Sequence, residues 1–276
     1  MSTPSPLGDH LRARRALVDP QDVGLPGGGR RRTPGLRREE VAMLAGISAD
    51  YYLRLEQGRD RHPSAQVLDA LARVLRLDAS GTEYLHGLAG GPTRTTRRRD
   101  RPVPVGIRQL LESVNLPAFV ESRRFDVLAT NELAAALLGL RVGTNRLRTF
   151  FLEEADRSLF VEWDRQAVSF VAGFRASVGT SDDPEVARLV GDLSLRSETF
   201  RRLWARHDVV PLAGGVSLLQ HPLVGRLELR REKLPLADTD GQILAIYHPE
   251  RDSSSASVEG LALLASLTSS GGVATG

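Results

Sequence analysis

The sequence predicts two domains of different class. An all-α domain covers residues 1–91, a linker covers 92–104, and an α+β domain with an antiparallel sheet covers 105–270. Three observations predict this. Apolar residues keep helical spacing before the linker. Residues 90–102 are rich in Gly, Pro, Thr and Arg and poor in apolar residues, the composition of an interdomain connection. Beyond it, short strand-like runs precede and follow a block of helices, the order of an α+β domain.

In the first domain, residues 7–18 form a short basic helix. Residues 25–35 hold two prolines and four glycines and are neither helix nor strand. A helix over 36–45 follows, with Val41, Leu44 and Ala45 on one face, and Gly46 breaks it. Ser48 caps a helix that runs to Gln57, and Gly58 ends it. Pro63 and Ser64 open the next helix, whose face is Val67, Leu68, Leu71, Val74 and Leu75. A last helix spans 82–88.

In the second domain, Ile107, Leu110, Leu111 and Val114 make one helical face. Strands follow at 118–120 and 125–128, then a helix at 131–138. A long helix is expected over 158–178, with Phe160, Trp163, Ala167, Phe170, Phe174 and Val178 at steps of three and four. Helices at 184–193 and 198–205 precede three strands at 216–219, 227–234 and 243–247, and a helix over 258–267 closes the chain.

Of the 276 residues, 41% are hydrophobic and 26% charged, as in a soluble globular protein. No apolar run is long enough to cross a bilayer, and the N-terminus lacks the order of a secretory signal. The expectation is a cytoplasmic protein with no membrane partner. There is no cysteine, which excludes disulfides, thiolate catalysis, zinc knuckles and iron–sulfur clusters. Neither a metal site nor a cofactor is expected. Charge is uneven. Residues 1–101 carry 18 Arg against 12 carboxylates, whereas the remainder holds 19 cations against 22. A basic first third places nucleic-acid contact at one end of the chain. Arginine makes up 36 of the 37 cations, which a GC-rich genome would also produce.

The functional signal is the run from Arg37 to Gly58. It reads as helix, Gly turn, capped helix and Gly, a tight helix-turn-helix. Ala42 is small where two helices cross, Ile47 plugs their angle, and Val41, Tyr52 and Leu55 bury the inner face. Ser48, Ala49, Asp50, Tyr51 and Arg54 are left on the outer face of the second helix, which in such proteins enters the major groove.

These residues resemble a known family. Glu39-Glu40-Val41-Ala42, Leu44-Ala45-Gly46-Ile47-Ser48 and Leu55-Glu56-Gln57-Gly58 are similar to the Xre-type, phage-repressor-like five-helix domain. Arg32-Thr33-Pro34-Gly35-Leu36-Arg37-Arg38 and the run from Asp50 to Asp60 resemble the subset joined to a MmyB-like ligand-binding domain. The strings Phe200 to Val209 and His221-Pro222-Leu223-Val224-Gly225 resemble that sensor domain. The resemblance implies a transcription regulator with a PAS-like second domain, and at least some members are thought to bind fatty acids. Two departures bear on ligand identity. Thr130 stands where relatives carry Trp before Asn131, and Val209 to Gly215 is apolar and Gly-rich where they are basic.

Asp50 has the chemistry to accept from a cytosine amino group, Ala49 to touch a thymine methyl, and Arg54 to reach guanine or phosphate. Tyr51 is expected on phosphate, and Arg38 at a helix N-terminus likewise. Ser48 faces the base edges, or serves only as a cap, and Asp50 alternatively only favours the helix dipole. Arg30, Arg31 and Arg32 on the Gly/Pro loop read as minor-groove or phosphate contacts, or as a solvated run. Arg37 and Arg59 complete the expected DNA-facing set. Glu56, within Leu55-Glu56-Gln57-Gly58, resembles the family's partly buried carboxylate, and the resemblance implies a structural pair with Arg15.

For the ligand, the expected residues are Asn131, Trp163, Phe170, Phe174, Arg202, Trp204 and His207. The aromatic stripe reads either as core or as the wall of an apolar pocket. Arg202 and His207 read as carboxylate binders or as cations favoured at a helix C-terminus. Asn131 also reads as a helix cap. The expected partners are double-stranded DNA, a second copy in a homodimer, and a small, apolar or fatty-acid-like molecule. A protein-interaction module without specific DNA binding and an enzyme on the C-terminal domain are the alternatives. No phosphate loop, His-Glu-x-x-His or Gly-x-Ser-x-Gly supports the latter.

Overall fold

The computed structural model describes residues 5–26, 34–60, 62–90, 101–179, 183–210, 214–250 and 255–271. They fall into two compact units. One takes residues within 1–95 together with 171–189 and 201–211, and the other takes residues within 96–170, 190–200 and 212–276.

Within residues 1–95 the described part of the first unit holds five helices: α1 (Pro6–Leu17), α2 (Arg38–Ala45), α3 (Ala49–Glu56), α4 (Ala65–Val74) and α5 (Ala79–Ala89). Leu11, Leu36, Val41, Tyr52, Leu55, Leu71 and Leu85 are fully buried at its centre. A 3-10 turn at Pro20–Val23, capped by Asp19, was not expected from periodicity. Ser48, Ser64 and Asp78 cap α3, α4 and α5 by accepting backbone N–H bonds. Gly46 takes φ +68° between α2 and α3, so the chain turns through a left-handed residue. Ile47 N–H then donates to Ala42 C=O at 3.0 Å, which closes the turn. Helices α1 and α3 meet backbone to backbone: a Cβ on Gly8 would lie 2.2 Å from the Glu56 carbonyl oxygen.

The rest of the chain contributes α6 (Val105–Ser113), β1 (Ala118–Glu121), β2 (Val127–Thr130), α7 (Glu132–Leu138), α8 (Arg146–Leu152), α9 (Glu154–Leu159), α10 (Trp163–Val178), α11 (Pro184–Arg196), α12 (Glu198–Ala205), β3 (Gly215–His221), β4 (Gly225–Pro235), β5 (Ile243–His248) and α13 (Ser255–Gly271). The strands form one antiparallel sheet in the order β2-β1-β5-β4-β3. The last strand thus returns to lie beside the first. Alternation divides the side chains between two faces. Val120, Leu244 and Ile246 pack with Leu111 and Ile107 of α6. Phe119, Glu121, Arg231, Lys233, Ala245 and Tyr247 occupy the opposite face by register.

Three elements differ from the sequence expectation. Strand β2 begins at Val127 because Phe125 takes φ +65° and Ser122 N–H binds Asp126 C=O at 2.9 Å. The long helix expected over 158–178 is broken. Phe160 pairs with Leu219 and Val161 N–H donates to Leu218 C=O at 3.0 Å, so α9 stops before α10 begins. Helix α8 was not anticipated; Asn145 caps it by accepting from Leu147 and Arg148. Among the described residues no helix is long and apolar enough to cross a membrane, and no cluster of three metal-ligating side chains occurs.

Candidate nucleic-acid interface and ligand-binding residues

Glu56 organises the helix-turn-helix. Its side chain is 1% exposed, and its two oxygens accept from Arg15 Nε at 2.7 Å and Arg38 Nε at 2.6 Å. Arg15 also donates to Leu36 C=O at 2.8 Å, and Arg12 to Glu56 C=O at 3.0 Å. One buried carboxylate therefore ties α1, α2 and α3 together. Arg38, expected on phosphate, spends its Nε here while its side chain stays 46% exposed. The remaining guanidinium N–H groups keep donor capacity for a second partner.

The knot fixes which face α3 shows to solvent. Tyr52 and Leu55 are fully buried, whereas Ser48, Ala49 and Asp50 are exposed and Tyr51 and Arg54 half-exposed. Ser48 accepts from Tyr51 N–H at 3.1 Å, so its hydroxyl oxygen caps the helix. Asp50 and Arg54 form an i,i+4 ion pair, and Arg54 lies over the Tyr51 ring at 5.5 Å. An exposed pair of this kind contributes about 0.3–0.5 kcal/mol, so a stronger acceptor displaces it readily. Arg37 and Arg59 are exposed. Arg30, Arg31 and Arg32 lie outside the described residues.

The expected ligand residues do not form one cluster. Trp163 and Phe170 both stack on Phe150, at 5.3 Å and 4.4 Å between centroids, and all three are buried. Trp163 Nε1 donates to Phe150 C=O at 3.1 Å. These aromatics are packed against one another, as core residues are. Phe174 instead packs on Trp204 at 5.9 Å, and Arg175 lies 3.7 Å over the Trp204 ring. His207 Nδ1 is 3.3 Å from Arg175, and its pKa is lowered to about 3, first by burial and then by the Arg175 charge. It is a neutral imidazole at neutral pH. Arg202 is exposed. Asn131 sits elsewhere, at the start of α7. Its oxygen accepts from Ala118 N–H at 3.1 Å and Ala134 N–H at 2.9 Å, and its amide donates to Val114 C=O at 3.3 Å and Leu116 C=O at 2.8 Å. That uses its full hydrogen-bonding capacity on the backbone.

Sequence reasoning passed over the ionic side chains on the inner sheet face. A signal was available: Lys233 is the single lysine among 37 cations, and Arg231 and Lys233 continue the apolar alternation of Leu227 and Leu229. Charges at positions where a strand should be apolar mark an unusual interior.

Comparison with known families agrees with both halves. The model for a helix-turn-helix domain matches residues 6–85, and the model for the MmyB-like transcription regulator ligand binding domain matches residues 103–263. No curated protein matches the chain. The second match spans more than half of the chain, following a helix-turn-helix whose α3 outer face is exposed, so the chain belongs to the MmyB-like transcription regulators and is a DNA-binding regulator with a ligand-binding C-terminal part.

Proposed function

We propose that the protein reads a specific operator through the outer face of α3, as a homodimer, and responds to a small apolar or fatty-acid-like ligand. The supporting observation is the exposed array Ser48, Ala49, Asp50, Tyr51 and Arg54, held rigid from below by the Glu56 knot. Ala49 and Asp50 stand at the helix N-terminus, where side chains reach base edges in a major groove. Arg37, Arg38 and Arg59 flank them as phosphate contacts, and Arg30, Arg31 and Arg32, which precede them in sequence, add further contacts. Two copies place two such helices on half-sites about one helical turn apart. The proposed division is 1–91 for DNA, 92–104 as linker, and 105–270 for ligand and dimer contacts. The ligand changes operator affinity by favouring one dimer arrangement.

The reading is of a regulator rather than a catalyst, in keeping with the two family descriptions. A gel shift with DNA from upstream of the protein's own gene, over a salt series, tests it. Tight binding to one fragment, with affinity falling steeply as salt rises, is expected. Equal weak binding to every fragment overturns it and favours a protein-interaction module.

A further inference from the structure

We infer that α1 carries a releasable latch on the side away from the Glu56 knot: His10 and Arg14 meet Arg175, His207 and Asp208 there, and the closed latch is the state that binds the operator. The inference rests on the operator-reading proposal above and names how that reading is regulated.

Residues 171–189 and 201–211 fall in the stretch matched by the ligand-binding model, yet they share one compact unit with α1–α5. Gly8, Arg12 and Arg15 on one side of α1 meet Glu56, and helical spacing puts His10 and Arg14 on the other. There the His10 ring centroid lies 5.4 Å from that of Tyr84 in α5 and 5.8 Å from that of His207. Arg14 forms an ion pair with Asp208, which also accepts from Arg206 Nε at 2.7 Å. Arg175, 4% exposed, donates to Trp204 C=O and to His207 Nδ1, and it is hydrogen-bonded to Tyr84.

The two sides of α1 differ in how their polar groups are satisfied. At the knot both side-chain oxygens and the carbonyl oxygen of Glu56 have donors. At the latch His10 is 1% exposed, and neither of its ring nitrogens has a hydrogen-bond partner among the described residues. The Nε atoms of Arg14 and Arg175 are buried without one too. No carboxylate forms an ion pair with Arg175 among the described residues; Asp208 acts on it only electrostatically. His10 and His207 are both held at about 3, chiefly by burial, so the rings are neutral at pH 7. A buried donor or acceptor without a partner forfeits the bonds that water would give it. Opening the latch returns these atoms to water, which offsets part of the packing lost, whereas opening the knot breaks bonds that are already complete. The latch is therefore the side of α1 that opens more easily.

The outer face of α3 is exposed while the latch is closed, so closure does not hide it. A closed latch fixes α1, and the knot passes that constraint to α2 and α3. A helix-turn-helix already held in one orientation loses less freedom when it binds DNA. Opening therefore weakens operator binding, and a shift of α10 or α12 reaches α3 through α1.

Diethylpyrocarbonate labelling of the full-length protein at pH 7, read by peptide mass spectrometry, measures opening, because buried His10 reacts only when the latch is open. His221 is the reference: it is also buried, but its ring nitrogens are bonded to Ala136 C=O and Leu223 N–H. His10 is expected to react at least about tenfold faster than His221. Asp208→Arg sets a like charge against Arg14 and is expected to speed His10 labelling at least about thirtyfold, and Asp208→Asn about fivefold. Amide protection of α1–α3 is expected to stay within about threefold of wild type in both. In gel shift Asp208→Arg is expected to bind the selected fragment at least about threefold more weakly, although its added positive charge alone would strengthen binding. His10 labelling no faster than that of His221, or unchanged in Asp208→Arg, overturns the latch. Loss of α1–α3 protection in step with faster labelling in both variants makes the contact part of the helical core and overturns it as well. Faster labelling with undiminished operator affinity overturns the regulatory role and leaves the operator reading standing. A wild-type protein that selects no fragment overturns the operator reading and the regulatory role together, while the labelling rates judge the latch by themselves.

Discussion

Replacing Glu56 by Gln isolates what the buried carboxylate does. The carboxylate accepts from Arg15 and Arg38 at once. The amide keeps the shape but has one acceptor and one donor end, so one guanidinium must face a donor. The two arms are unequal. The Arg15 side chain is 13% exposed and Arg38 46% exposed. The Arg38 arm behaves as a surface pair, worth about 0.5 kcal/mol. The Arg15 arm is a buried pair, and removing its counter-charge costs about 3 kcal/mol, even though Arg15 keeps its bond to Leu36. Amide hydrogen exchange in α1–α3 of the full-length protein reads the loss locally. Protection is expected to fall about a hundredfold in Glu56→Gln, and by no more than about threefold in Arg38→Met. If Glu56→Gln lowers protection by less than about tenfold, the buried charge is not what unites the three helices. If the two variants lose equally, the exposure argument fails.

Other perturbations separate the remaining roles. Arg54→Ala is expected to weaken operator binding by about 1–3 kcal/mol and to relax base preference, with stability unchanged because its partner Asp50 is exposed; unaltered selectivity in gel shift removes Arg54 from the reading face. Gly46→Ala meets no atom within 4 Å, so its expected cost of about 1–2 kcal/mol comes from the left-handed backbone alone, as thermal melting would show. Asn131→Ala orphans the N–H groups of Ala118 and Ala134 and is expected to cost about 3 kcal/mol in denaturant unfolding, without requiring any ligand. His10 is held at about 3, chiefly by burial and then by His207 and the nearby arginine charges, and His207 is also lowered to about 3. The unfolded chain therefore binds more protons between about pH 3 and 6.5, so stability is complete above 6.5 and falls as pH drops through that window. In His10→Phe a pH series of melting curves should show a shallower fall.

Much of this could be read from local pattern. The helix-turn-helix is written in residues close in sequence: a small residue at the crossing, a glycine at the turn, a hydroxyl at the cap and apolar residues on one side. Each acts within one or two turns of helix, so spacing alone specifies it. The pairing of Arg15 with Glu56, far apart in sequence, came from resemblance instead. Helix α8 escaped because its seven residues include Thr149, Phe150 and Phe151, which favour helix less than the Ala and Leu of the equally short α7, and the break at Phe160 escaped because its cause, a bridge to Leu219, lies far along the chain.

Read alone, the chain determines a basic helical domain with a helix-turn-helix followed by an α+β domain, because caps, turns and periodicity are local properties, whereas the sensing role came from resemblance. Which side chains meet inside the sensor is decided by strand register and by the folding of α8 over the sheet. Register sets Arg231 opposite Tyr247 and Lys233 opposite Ala245, and the fold brings Glu121 and Arg146 to Lys233 from distant positions. Buried electrostatics depends on distance in space and on exclusion of water, and neither is encoded at any single position.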